Sequence, residues 1–268
     1  MGLGDDVCGM QNEPIPPAGE FDRQTAKTSV TTFRIIEALR ETPGARVSDL
    51  AEELDLAKGT VHKHLSTLKA VNYVVKEGDR YRLSMRFIGL GTSVRATLEI
   101  YQIAYSQLEK LSDATGEVAS IMIPEHGYGV YVVRVSDEGR PDIDIREGES
   151  VPLTATAGGK AILSYMDPDR RDRIIEQHGL PKLTDNTITD PDELRDQLRQ
   201  IRNRRRALDN AEYRPDQYCV AAPLTDFDGN PVGAVTVSGP TDRMIEKTER
   251  ADFVSLIGSA ADAIQSRL

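Results

Sequence analysis

Between Val30 and Leu39 the apolar residues Phe33, Ile36 and Leu39 recur at helical spacing with Val30 and Ile35 beside them, and Pro43-Gly44 stops that helix. A second short helix is expected from Ser48, a suitable N-cap, with Asp49 in its first turn and Leu50, Ala51 and Leu54 on its buried side. After Asp55-Leu56 the same period predicts a third helix over residues 58–70. Two short runs, Tyr73-Val74-Val75 and Tyr81-Arg82-Leu83, flank Glu77-Gly78-Asp79 and predict a hairpin. Three helices followed by a hairpin over residues 26–83 describe a winged helix-turn-helix.

Across residues 84–115, Val94, Leu98, Tyr101, Tyr105, Leu108 and Leu111 step by three and four, which predicts one or two amphipathic helices, with Gly89 and Gly91 interrupting the first. Residues 84–97 are assigned to a linker helix and 98–268 to a second domain. There the period changes. "EVASIMIP" and "YGVYVVRVS" predict paired strands across a turn at residues 125–128, and "DIDIREG" a third. "TAGGKAILSYM" predicts a helix that begins in glycines. "DPDELRDQLRQIR" predicts another, with Asp190 as N-cap, Pro191 in the first position and Glu193 completing a capping box. "YCVAAPLTD" and "PVGAVTVSGP" read as strands joined around Asp228-Gly229-Asn230, and residues 242–268 as a last amphipathic helix. The fold class is α+β with a mainly antiparallel sheet. Residues 1–25 have no apolar period, three prolines and four glycines, and read as a flexible leader.

With 268 residues, 39% apolar and 5% aromatic, the chain suffices for two compact domains with aliphatic cores. It has no run of 18 apolar residues and no charged-then-apolar start, which points to the cytoplasm rather than a membrane. Cys8 and Cys219 are the only cysteines, too few for a disulfide framework or a four-cysteine zinc site; no cofactor is indicated. The net charge is −10, and only 9 of 33 cations are Lys. That balance suits a salt-rich, halophilic cytosol as well as an ordinary acidic protein.

Charge is sorted by position. Residues 58–86 carry seven cations, Lys58, Lys63, Lys69, Lys76, Arg80, Arg82 and Arg86, against two anions, Glu77 and Asp79. On a helical wheel Val61, Leu65 and Leu68 share one face, while Gly59, Lys63, Ser66 and Thr67 point the other way with Thr60 and His62 on the flanks. A small, polar, cationic helix face without a carboxylate fits the major groove, and the first turn from Lys58 offers N–H groups to phosphate. Thr60, His62 and Lys63 are the candidate readers of base edges, and Arg80 and Arg82 on the wing the candidate contacts to the backbone or minor groove. A plain solvated helix is the alternative. His62 and His64 lie too far apart around the helix to share a metal, and His64 is expected to border the core.

These residues resemble the IclR family of transcriptional regulators over 27–268. The N-terminal resemblance lies in "FRIIEAL … VSDLAEELDLAKGTVHKHLSTLKAVNYV … YRLSMRFIGLG" and the C-terminal one in "VPLTATAGGKAIL", "CVAAPLTD" and "VTVSGP". It implies a winged helix-turn-helix, a linker helix and a GAF/PAS-like effector-binding domain. It also implies a homodimer or dimer of dimers on a palindromic double-stranded DNA operator. The family's effector pocket falls on Ala157, Gly158 and Gly159 at a helix start, and on Asp209, Cys219, Thr236 and Ser238. A helix N-terminus with hydroxyls and a thiol opposite suits a small organic acid or sugar acid. Arg205-Arg206 stands where the family has a Gly-aromatic pair, so the chain around Asp209 could follow another path. "GGKA" also reads as a plain helix start and Cys219 as a small core residue.

Three functions remain open on the sequence. One is a ligand-responsive regulator. Another is an enzyme with Cys219 as nucleophile, for which His62, His64, His126 and His178 offer no evident base. The third is a constitutive architectural DNA-binding protein whose C-terminal domain only oligomerises.

Overall fold

The computed structural model describes residue 15 and residues 24–136 and 147–268. The predicted leader and the strand expected from "DIDIREG" therefore lie for the greater part outside the described residues. The chain divides into two units between Arg95 and Ala96.

The first unit runs α1 Lys27–Glu41, β1 Ala45–Arg46, α2 Val47–Glu53, α3 Lys58–Ala70, β2 Val74–Glu77, β3 Arg80–Leu83 and α4 Arg86–Ala96. The three strands pair antiparallel in the order β1-β3-β2, with Val74 opposite Leu83 and Glu77 opposite Arg80. Gly78 takes φ 65°, which lets Gly78-Asp79 close the hairpin tightly. Ile35 and Leu39 of α1, Leu50 of α2, Val61, Leu65 and Leu68 of α3 and Tyr81 of β3 share one core.

Three local expectations are corrected and one strand is added. The α1 core face is Val30, Ile35, Ala38 and Leu39, while Phe33 is 56% exposed. The α2 N-cap is Arg46, whose N–H is accepted by Asp49, so Ser48 stands inside the first turn. The two-residue β1 carried too little pattern to be predicted. Gly89 and Gly91 do not interrupt α4: nothing packs near either, and the helix continues to Ala96 before α5 begins at Glu99. Isolated glycines weaken a helix by only about 1 kcal/mol each.

The second unit runs α5 Glu99–Thr115, β4 Val118–Glu125, β5 Tyr128–Val135, β6 Ser150–Pro152, α6 Ala157–Tyr165, α7 Pro168–His178, α8 Pro191–Arg204, β7 Ala207–Asn210, β8 Gln217–Thr225, β9 Pro231–Pro240, α9 Thr241–Thr248 and α10 Ala251–Gln265. Its antiparallel sheet has the order β6-β5-β4-β9-β8-β7. One face packs on α5 and α10 through Ile121, Val133, Val220, Val235 and Val237. The other packs on α6 and α8 through Met122, Tyr131, Cys219, Ala221 and Ala234. Covered on both sides, β8 is buried throughout, which is why it reads as a run rather than an alternation.

Asp190 caps α8 by accepting the N–H groups of Asp192 and Glu193; a return bond from the Glu193 carboxylate is not among the described contacts. The predicted last helix is two helices, α9 and α10, separated at Glu249-Arg250. β7, unpredicted, follows Arg205, which takes the left-handed conformation at φ 53° although it is not glycine. The Arg205-Arg206 departure thus leaves the helix end intact, and pairing of Ala207–Asn210 with β8 offsets the local strain.

Candidate nucleic-acid interface and effector site

α3 spans the residues that the period predicts, and its two sides differ sharply. Val61, Leu65 and Leu68 are buried. Lys58, Gly59, His62, Lys63, Ser66 and Thr67 are exposed, and Thr60 is half-buried. Nothing lies within 4 Å of where a Gly59 side chain would begin, so the first turn is open to close approach. His64 borders the core as expected: its Nδ1 lies 2.8 Å from Thr32 Oγ1, and burial, followed by the neighbouring Lys63 charge, holds its pKa below the ordinary value.

The wing cations are already engaged. Arg80 donates to Gly44 O at 2.7 Å, Arg82 donates through Nε and Nη2 to Glu77 at 2.9 and 2.7 Å, and Lys76 lies over the Tyr81 ring. These exposed bonds hold the wing in shape at little energetic advantage over water. Beyond the wing, Arg86 donates to Val71 O at 3.0 Å and stacks on Tyr73, whose ring meets Phe87 edge-on at 5.2 Å. The end of α3 and the start of α4 are therefore one packed joint.

In the second unit the predicted pocket residues converge on the α6 side of the sheet. Asp209, Cys219 and Ser238 are cross-strand neighbours on β7, β8 and β9. Gly158 faces Thr236: a Cβ there would stand 2.9 Å from Thr236 Cγ2 and 2.9 Å from Met122 Sδ. Thr156 caps Gly159 N–H, and the earlier N–H groups of Ala157 and Gly158 point off the helix start. Gly159 has a packing reason for being glycine, since a Cβ would strike the Leu153 backbone.

Asp209 Oδ1 accepts the N–H groups of Glu212 and Tyr213, which shapes the turn after β7. Burial, followed by the Glu212 carboxylate, pushes the Asp209 carboxyl up to about 7 against the pull of Lys160. Lys160 and Glu212, buried together at 2.5 and 2.6 Å, were not singled out from the sequence. Burial also raises Glu212, and Lys160 restrains that rise. Cys219 is 3% exposed, and burial, followed by the Asp209 charge, pushes its thiol well above the ordinary range.

The same face holds polar residues that sequence reasoning missed. Ser120 of β4 stands between Arg134 of β5 and Thr236 of β9 in the ladder. Ser120 Oγ and Arg134 Nη1 are buried without a hydrogen-bond partner, as is Gln217 Oε1 on β8, while the buried Thr236 hydroxyl meets the Cys219 thiol. Arg134 also lies over the Tyr131 ring, at 5.0 Å. The available signal was the interruption of two apolar strands by Ser120 and Arg134 at inward positions. Among the described residues no group of three or more His, Cys, Asp or Glu is placed to hold a metal, and no helix is long and apolar enough to cross a membrane.

Comparison with known proteins agrees with both halves. The family described as "IclR helix-turn-helix domain" matches residues 31–78, and "Bacterial transcriptional regulator IclR C-terminal" matches residues 92–266. The chain is 30% identical over 275 residues to the DNA-binding transcriptional repressor YiaJ of Escherichia coli, covering 99% of this chain and 96% of that one. It is 27% identical over 258 residues to the probable HTH-type transcriptional regulator ArcR of Halobacterium salinarum, covering 94% and 98%. The crystal structure of the Thermotoga maritima IclR superposes with a TM-score of 0.72 at 29% identity, over 90% of this chain and 98% of that one. A helix-turn-helix match over the winged unit, followed by a six-stranded domain whose match runs along nearly its whole length, places the chain in the IclR family of DNA-binding transcriptional regulators.

Proposed function

We infer that the protein is a sequence-specific regulator whose operator affinity is controlled by a small organic acid or sugar acid held on the α6 side of the second unit's sheet. The observation that carries this reading is the division of α3, with Val61, Leu65 and Leu68 buried and Gly59, His62, Lys63, Ser66 and Thr67 turned out without a carboxylate among them. Such a face meets base edges, while the net charge of −10 over the whole chain repels non-specific phosphate. A homodimer or dimer of dimers would place two copies of α3 on a palindromic operator, about 34–36 Å apart for adjacent half-sites.

The effector half is supported by the buried polar atoms left without partners around Thr236, since folding alone disfavours such atoms. Family membership supports both halves. A cytoplasmic setting suits a DNA-binding protein, and the acidic, Lys-poor composition together with the halobacterial relative supports a salt-rich one. Cys219 is a poor nucleophile, because its buried thiol resists ionisation.

Gel retardation of the DNA upstream of the protein's own gene, with and without candidate acids, tests the reading. The expected result is a retarded complex that Lys63→Ala weakens and that one acid strengthens or dissolves. Failure to retard that DNA at any ionic strength overturns the regulator. Retardation indifferent to every acid leaves the constitutive architectural binder.

A further inference from the structure

The row formed by Arg134, Ser120 and Thr236 crosses three adjacent strands, β5, β4 and β9, on the face that α6 covers. Both hydroxyls belong to residues that are 0% exposed; Ser120 Oγ has no partner and the Thr236 hydroxyl meets only the Cys219 thiol, while the half-buried Arg134 keeps one nitrogen, Nη1, closed off from water and unpartnered. A guanidinium nitrogen deprived of water and given no hydrogen bond is costly to bury. Its charged surroundings are mixed: Glu149 and Arg214 lie in its field, as do Tyr131 and Cys219. Gly158, at the start of α6, closes over Thr236 with Met122 alongside.

Resting on the effector reading above, we propose that Arg134, Ser120 and Thr236 form the recognition row of the effector site, and that it selects a short-chain polyhydroxy acid over an apolar or aromatic acid. Arg134 donates to an anionic carboxylate oxygen, and Ser120 and Thr236 exchange hydrogen bonds with hydroxyl groups along the ligand chain. Neighbouring strands are about 4.8 Å apart, so the row from Arg134 to Thr236 spans roughly 10 Å. That length suits an acid of about four to six carbons with its hydroxyls facing the sheet. An apolar acid of equal length would leave the two hydroxyls as they are and forfeit their contribution, at about a tenfold loss of affinity or more for each buried polar group left unpaired. Arg134 and Ser120 thereby become specificity residues that the helix start cannot replace.

The test uses the full-length protein, titrated calorimetrically with D-gluconate, hexanoate and benzoate, alongside thermal unfolding and operator retardation. D-Gluconate is expected to bind at least about tenfold more tightly than hexanoate or benzoate. Ser120→Ala is expected to unfold at or above the wild-type temperature, because it removes an unpartnered hydroxyl, and Thr236→Val slightly below it, because the Cys219 thiol loses its neighbour; each is expected to lose about tenfold in gluconate affinity. Arg134→Gln is expected to lose more, as a charged bond is lost. Variants that bind gluconate as the wild type does, or a preference for hexanoate or benzoate, overturn the recognition row while an acid-dependent operator response keeps the regulator reading. Absence of binding by all three acids overturns the row, and retardation of operator DNA then still decides the regulator separately.

Discussion

The Lys160 ammonium donates to both carboxylate oxygens of Glu212, at 2.5 and 2.6 Å, with both side chains closed off from water. The pair ties α6 to the turn after β7, beside Asp209. Glu212→Gln would strand a buried ammonium, and a loss of about 3–5 kcal/mol in urea unfolding is expected. The joint change Lys160→Met with Glu212→Leu is expected to recover most of that loss, because removing both charges removes their desolvation. Equal losses in the single and joint variants would show that packing, not charge, is at stake.

Asp209 gives the second unit an unusual pH response. With its carboxyl pushed up to about 7 in the folded protein, mainly by burial, Asp209 keeps a proton that the unfolded chain releases in the ordinary carboxylate range. Its contribution to stability is therefore complete at low pH, falls as pH rises through that window, and stays low above it. Asp209→Asn is expected to match the wild type near pH 4 and to lose roughly 4 kcal/mol less by pH 8. Parallel pH profiles of unfolding would refute this.

Glu117 has the opposite sign. Burial raises its carboxyl, but the bonds from Arg243 and Lys247 outweigh burial and hold it below the usual range. The stabilisation is present at neutral pH and is lost as pH falls through the lowered pKa. Because Arg243 is about half exposed, Glu117→Gln is expected to cost only about 2 kcal/mol near neutrality. In thermal unfolding the deficit should shrink in acid.

On α3, neighbouring positions should report different physics. Leu65→Ala is expected to cost about 2–5 kcal/mol of stability, since Leu65 is fully buried. Ser66→Ala, one residue on and exposed, should change stability by less than about 0.5 kcal/mol. Lys63→Ala should weaken operator binding by about 1–3 kcal/mol if Lys63 reads a base, with its unfolding curve unchanged. Footprints identical to wild type would remove that assignment.

The joint of Val71, Tyr73, Arg86 and Phe87 is expected to make α3 and α4 move together. Arg86→Ala should speed amide exchange at the α3 end and at the α4 start while leaving the Leu65 region protected. Unchanged exchange at both ends would show the joint to be incidental.

The winged unit was largely legible because its information is local. The period of Val61, Leu65 and Leu68 and the turn at Gly78 gave α3 to the residue and the hairpin within a residue or two. Local pattern also misled: the glycines of α4 suggested a break that solvent-exposed helix tolerates, and Phe33 was assigned to a core that Ala38 occupies.

In the second unit, apolar runs and the turns between them indicated strands and two hairpins, and capping residues placed α8. Neither could indicate which strands beyond those hairpins become neighbours. Ser120 meets Arg134 across a short turn but meets Thr236 only because β9 returns from the far end of the chain, and Lys160 meets Glu212 only once β7 lies beside β8. Arg205 accepts a left-handed backbone because β7 pairing outweighs its local cost. One-dimensional periodicity thus specified helices and the cationic side of α3; the register of distant strands, set by the packing of the whole sheet between two helical layers, decided which buried polar atoms stand side by side.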